Sequence, residues 1–179
     1  MILLVIDVQK GITDDRLCNF GKFCENSRRI IGKARSTGTE IIFFRHDDGP
    51  GTGFSVGDSA FEIAEQFAPA EGEKVFDKSI NSCFGNKDFC RYLSDISEDT
   101  LMIVGLQTDL CIDATVKSAF ERGFRVIVPA GCNSTFDNAY IDKETSYRYY
   151  NEMIWQGRYA ECVTLDDALR IIEDSEKGT

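Results

Sequence analysis

Six short apolar runs recur along this chain, each separated from the next by helical periodicity or by a turn-rich segment. "ILLVID" reads as a first strand, and Lys22 to Ser36 as a helix ending near Gly38. "EIIFFRH" is a second strand, followed by the loop "DDGPGTGFSVGD". "AFEIAEQF" reads as a short helix and "EKVFDK" as a third strand. "NKDFCRYLSDI" is helical, "TLMIVG" is a fourth strand, and Leu110 to Arg122 is helical again. "RVIVPA" is a fifth strand, "KETSYRYYNEMI" a helix, "YAECVT" a sixth strand and "LDDALRIIED" a closing helix. Strands that are apolar on both faces belong in a parallel sheet covered on both sides. The expected class is therefore α/β, a three-layer αβα sandwich around a six-stranded parallel sheet. The 179 residues form one domain, 1–179. Thr164, with Asp167 three residues later, marks the start of the last helix, and "EDSEKGT" reads as a frayed end.

Charge and cysteine usage narrow the functional classes. A net charge of -10 argues against nucleic acid as a partner, since phosphate binding needs basic surface. "MILLVI" is too short to span a membrane, and it runs into Asp7 with no basic segment ahead of it, so it reads as a buried strand rather than a signal peptide. The seven cysteines are odd in number and irregular in spacing, which suits a reducing, cytoplasmic setting better than a disulfide framework. With His46 the single histidine and no ligand pair at metal spacing, no metal site is expected.

In open parallel sheets, ligands bind beyond the carboxyl ends of the strands. Asp7 ends the first strand, His46 to Asp48 the second and Lys78 the third. The fourth leads through a turn to Cys111, and Cys132, Asn133 and Ser134 follow the fifth. A carboxylate behind six apolar residues needs a partner or a raised proton affinity. Lys78 and the Cys111 thiol are the candidates. A thiol in the first turn of a helix meets unpaired N–H groups, an arrangement expected to lower its pKa and to bind an oxyanion. Asn81, Ser82, Phe84, His46, Asn133 and Ser134 are candidate substrate contacts. The glycine-containing loop Asp48–Gly57 is either a lid or a plain connector. Cys83 and Cys132 are rival thiols, and Trp155 suits the core. A dinucleotide-binding protein would share the architecture, but "DVQKGITDD" lacks the glycine-rich turn it needs. A non-catalytic binding protein is the other alternative, and iodoacetamide titration separates it from an enzyme through one fast thiol.

"IDVQ", "DKSINSCF" and "VGLQTDLCIDAT" resemble, in this order, the three signatures of the isochorismatase-like cysteine hydrolases, which include nicotinamidases and N-carbamoylsarcosine amidase. The likeness extends through "AFERGFRVIVP" and "YAECVTLDDAL". It implies strand order 3-2-1-4-5-6 and a catalytic triad of Asp7, Lys78 and Cys111. It also implies a cis Leu106–Gln107 peptide, with the backbone amides of Gln107 and Cys111 as oxyanion hole. It further implies a homo-oligomer, dimer or tetramer, acting without a cofactor on a small-molecule amide. Isochorismatases proper cleave a vinyl ether and typically lack the cysteine, so Cys111 argues for amide, or alternatively ester, hydrolysis. Nicotinamidases carry an Asp-x-His pair and a second histidine on a metal, a set that "FRHDDGPGTGF" does not supply.

Overall fold

The structure, a computed structural model, describes residues 1–177. Its centre is β1 (Ile2–Ile6), with all five side chains buried. β1 pairs in parallel with β2 (Glu40–His46) on one side and β4 (Thr100–Leu106) on the other. β3 (Lys74–Lys78) extends the sheet beyond β2. β5 (Arg125–Pro129) and β7 (Glu161–Val163) extend it beyond β4. The resulting order is β3-β2-β1-β4-β5-β7, as expected with the last strand in sixth place. A seventh strand, β6 (Asn133–Ser134), is only two residues long and adds to the end of β4. Nothing in its length or polarity marks it as a strand in the sequence.

Alternate residues of the central strands face two separate cores. Leu3, Val5, Phe43, Met102, Val104 and Ile127 pack under α1 (Phe20–Thr37) and α5 (Leu165–Lys177). Leu4, Ile6, Phe44, Leu101, Ile103 and Val128 face α2 (Lys87–Asp95), α3 (Asp113–Glu121) and Trp155. Each such side chain contributes roughly 1.5–3 kcal/mol on burial. α1 buries Phe23, Ser27, Ile30, Ile31 and Ala34, the spacing of one helical face. It ends at Gly38, whose left-handed backbone (φ 70) lets its N–H return to Ala34 and Arg35. Asp167 N–H donates to Thr164 Oγ1 at 3.1 Å, so the expected cap opens α5.

Four expectations are corrected. "AFEIAEQF" is not a helix but two isolated 3₁₀ turns, Ser59–Phe61 and Glu65–Phe67. The residues between them bond to the chain after β1 instead: Ala64 N–H to Val8 O and Lys10 N–H to Glu62 O, both 2.8 Å. Those tertiary bonds outcompete the local helical ones. The helix expected over Leu110–Arg122 opens as a wide π-type turn, Thr108–Ile112, before α3 begins. α4 (Lys143–Arg148) likewise runs into a π-type segment, Tyr149–Trp155. The expected frayed end is helical through Lys177; Gly178 and Thr179 lie outside the described residues.

Register brings the strand ends together. Ile6 stands opposite both Phe44 and Gly105, and His46 opposite Lys78. Gly105 has φ 126, and a Cβ there would sit 2.0 Å from the Ile6 carbonyl oxygen. Only glycine lets β4 pass this close to the residue before Asp7. Gly105→Ala is expected to cost about 3 kcal/mol in urea denaturation, because backbone must move. Gly38→Ala, at positive φ but in open space, is expected to cost only about 1 kcal/mol. Equal losses would contradict the close-approach argument.

Candidate active site

Asp7 leaves β1 with left-handed backbone (φ 52), uncommon for a residue with a side chain. Its N–H donates to Phe44 O at 3.0 Å, which ties the turn to β2. The carboxylate is buried, and Lys78 Nζ donates to its Oδ2 at 2.8 Å. The other oxygen, Oδ1, is buried without a hydrogen-bond partner. Lys78, itself 4% exposed, reaches two further groups: Cys111 Sγ at 3.3 Å and His46 Nδ1 at 3.1 Å. An ammonium has three N–H bonds, and here it meets three acceptors from three segments.

His46 is held on both sides. Its backbone N–H donates to Gln9 Oε1 at 2.8 Å, and its carbonyl accepts from Gln9 Nε2 at 2.9 Å. Its ring Nε2 lies 3.2 Å from Asp48 Oδ1. A proton on Nε2 shared with Asp48 leaves Nδ1 as the acceptor that Lys78 requires. Gln9 is a positioning residue that sequence reasoning missed, although it sits in the quoted "IDVQ"; its fully buried amide is the signal.

Cys111 sits inside the wide turn, whose Gln107 carbonyl accepts from both Leu110 and Ile112 N–H at 3.1 Å. The Leu106–Gln107 peptide is cis. Cys111 Sγ also lies 3.7 Å from Asn81 Oδ1. The ligand atoms of Asp7, His46 and Cys111 fall within 4.8 Å of one another, a set able to hold a metal ion. The Lys78 ammonium is in contact with all three.

The electrostatics correct one expectation. Burial, reinforced by the Asp7 charge and only partly offset by Lys78, pushes the Cys111 thiol up to about 12. Desolvation thus works against the lowered pKa expected of a thiol at a helix start. Burial likewise raises the proton affinity of Asp7, against the opposing pull of Lys78. Lys78 is raised: desolvation works against its charge, but Asp7 and Cys111 outweigh it. Lys78 thus bridges a carboxyl group and a thiol whose proton affinities are both raised by burial, and one carboxyl oxygen has no hydrogen-bond partner.

These groups floor a cavity of about 360 Å³ lined by Asp7, Cys111, His46, Asp48, Asn81 and Gln107, with Ile12, Phe54 and Leu110 as apolar walls. The loop after β2 supplies Asp48 and Phe54, and its backbone folds back through Asp48 N–H to Phe54 O at 3.0 Å. Of the expected substrate contacts, the cavity takes His46 and Asn81 and leaves four out. Ser82 caps the next turn, accepting from Phe84 N–H at 3.3 Å. Phe84 packs in the core against Phe89 and Phe124. Asn133 accepts from Thr108 Oγ1 and exchanges bonds with Asn151. Ser134 donates to Cys18 O at 2.7 Å. The last two are drawn away because β6 pairs their backbone with β4 and turns their side chains to buried partners. Cys83 and Cys132 are fully buried and do not line the cavity. Trp155 is buried, donating to Asp113 Oδ1 at 2.9 Å.

Residues 1–165 match the isochorismatase domain model. The fold and the strand-end cluster define an α/β protein with its cavity at the carboxyl edge of the sheet. The chain belongs to the isochorismatase family, a family of hydrolases. It is 25% identical to streptothricin hydrolase of Streptomyces noursei over 137 residues, covering 75% of this chain and 54% of that protein. The chain thus spans about half the length of that relative. It is 35% identical to N-carbamoylsarcosine amidase of an Arthrobacter species over 68 residues, 38% of this chain and 26% of that one. A crystal structure of an isochorismatase-family protein from Chromobacterium violaceum superposes with a TM-score of 0.89 at 23% identity, covering 97% of this chain and 93% of that one. No helix among the described residues is long and apolar enough to cross a membrane.

The Asp7–Lys78 contact has a direct test in stability. Lys78→Met leaves a buried carboxylate without its cation and is expected to cost about 3–5 kcal/mol. The double variant Asp7→Asn/Lys78→Met is expected to recover much of that loss. Additive losses in urea denaturation would contradict a direct pair.

Proposed function

We propose that this protein hydrolyses the C–N bond of a small amide through a thioester on Cys111. The observation that carries the reading is the Lys78 ammonium touching both the Asp7 carboxylate and the Cys111 sulfur at the floor of a cavity. Relatives named as a hydrolase and an amidase support the same class.

In this reading the thiol proton moves to Asp7 as sulfur attacks the carbonyl carbon. The new S–C bond places negative charge on the carbonyl oxygen, which the backbone N–H groups of Gln107 and Cys111 receive. Asp7 then gives the proton to the departing nitrogen as the C–N bond breaks. Water attacks the thioester, Asp7 takes its proton, and the sulfur leaves and is reprotonated. A thiol held up to about 12 suits this sequence, because the proton leaves only as the S–C bond forms. Lys78 holds the carboxylate and sulfur in register. Assembly into a dimer or tetramer belongs to the same reading, and sedimentation equilibrium checks it.

Intact-mass spectrometry during turnover of a primary-amide panel tests the proposal. An acyl adduct on Cys111 is expected, with its mass reporting the acyl group. Cys111→Ala is expected to abolish both adduct and turnover, and Cys111→Ser to lose at least about 10³-fold in rate. Asp7→Asn is expected to stay folded and fail to acylate. Full activity in either cysteine variant would refute the assignment.

A further inference from the structure

Resting on that reading, we propose that the cavity selects by charge: it takes amides whose acyl part is neutral or bears an ammonium group and discriminates against acyl carboxylates. The argument is the charge inventory around the reacting sulfur. Among the described residues, no arginine or lysine lines the cavity. The nearby cation, Lys78, is buried, and its three N–H bonds are met by Asp7, His46 and Cys111. It has no free donor for a substrate carboxylate. The Asp7 charge is matched by Lys78. Asp48 is different: its side chain is 53% exposed and lines the cavity beside the His46 ring, with no lysine or arginine paired to it among the described residues.

The segment that carries Asp48 adds no cation: from Asp47 to Asp58 the chain has three carboxylates (Asp47, Asp48 and Asp58) and no lysine or arginine. Nearby cations are engaged elsewhere: Arg45 with Asp77 and Glu62, Lys10 with Glu65, and Arg16 with Asp14. An incoming carboxylate therefore meets the Asp48 carboxylate and no free cation among the described residues, whereas an ammonium meets a partner. Geometry fixes where that ammonium would sit. Cys111 Sγ is 3.9 Å from His46 Nδ1, and Asp48 contacts the far nitrogen of the same ring. The cationic group of a substrate acylating Cys111 would lie one imidazole away, a few bonds beyond the carbonyl. Phe54 also lines the cavity, and an aromatic ring is a favourable neighbour for a cation.

Two measurements with separate failures test this. The first compares alkylation of Cys111 by iodoacetate, iodoacetamide and 2-bromoethylammonium, each rate divided by that of free cysteine and read by peptide mass spectrometry. Iodoacetate is expected to be disfavoured against iodoacetamide by about tenfold or more at low salt. The bromoethylammonium is expected to be favoured, and the spread to shrink at high salt. Asp48→Asn is expected to collapse most of the spread, while Asp88→Asn, which removes an equal charge on exposed α2, leaves it unchanged. The second measures kcat/KM for 4-aminobutanamide, pentanamide and succinamate, with falling values expected in that order. Preference for iodoacetate or succinamate would overturn the charge inference while leaving the amidase reading intact. Absence of any acyl adduct from all three amides would count against the amidase reading, and the alkylation series would still decide the charge inference. Equal collapse in the two aspartate variants would assign the effect to net charge and overturn the role of Asp48.

Discussion

Everything at the sheet edge depends on one buried ion pair. Asp7 and Lys78 lie 2.8 Å apart with almost no water around them. Either charge alone would be strongly unfavourable there. Together they are tolerable, and the remaining N–H bonds of Lys78 settle on His46 and Cys111. The pair therefore fixes more than itself. It holds the ammonium against the sulfur and leaves His46 Nδ1 as an acceptor.

The parallel sheet makes such a meeting possible. Asp7, His46 and Lys78 are the terminal or next residues of β1, β2 and β3, and register sets these ends side by side. Cys111 arrives from β4 through a turn. Gly105 allows that strand to approach within a distance no side chain permits. The loop after β2, which has little secondary structure, adds Asp48 and Phe54 to the cavity lining.

Much of this is legible in the residues. Apolar strands, the cap at Thr164 and the placement of Asp7, Lys78 and Cys111 at strand ends all follow from local pattern. What escapes are features set by tertiary competition. Ala60–Phe67 has helical spacing but bonds to the chain after β1. Asn133 and Ser134 follow a strand yet pair with β4, which takes their side chains out of the cavity. Phe84 neighbours Asn81 in sequence but packs among Phe89 and Phe124, with Arg122 over its ring. The helix-start position of Cys111 predicts a lowered proton affinity, whereas its burial acts in the opposite direction. Burial and partner geometry depend on residues distant in sequence, so no local window reports them.

The central claim is that desolvation keeps the proton on Cys111 until a substrate arrives. The most direct measurement is the ultraviolet thiolate absorbance of the native protein minus that of Cys111→Ser, followed across pH. The account predicts no Cys111 thiolate at neutral pH and none up to roughly pH 9, where an ordinary thiol is already more than half ionised. A titration midpoint near or below neutrality would contradict it, showing that the ammonium and the helix start outweigh burial.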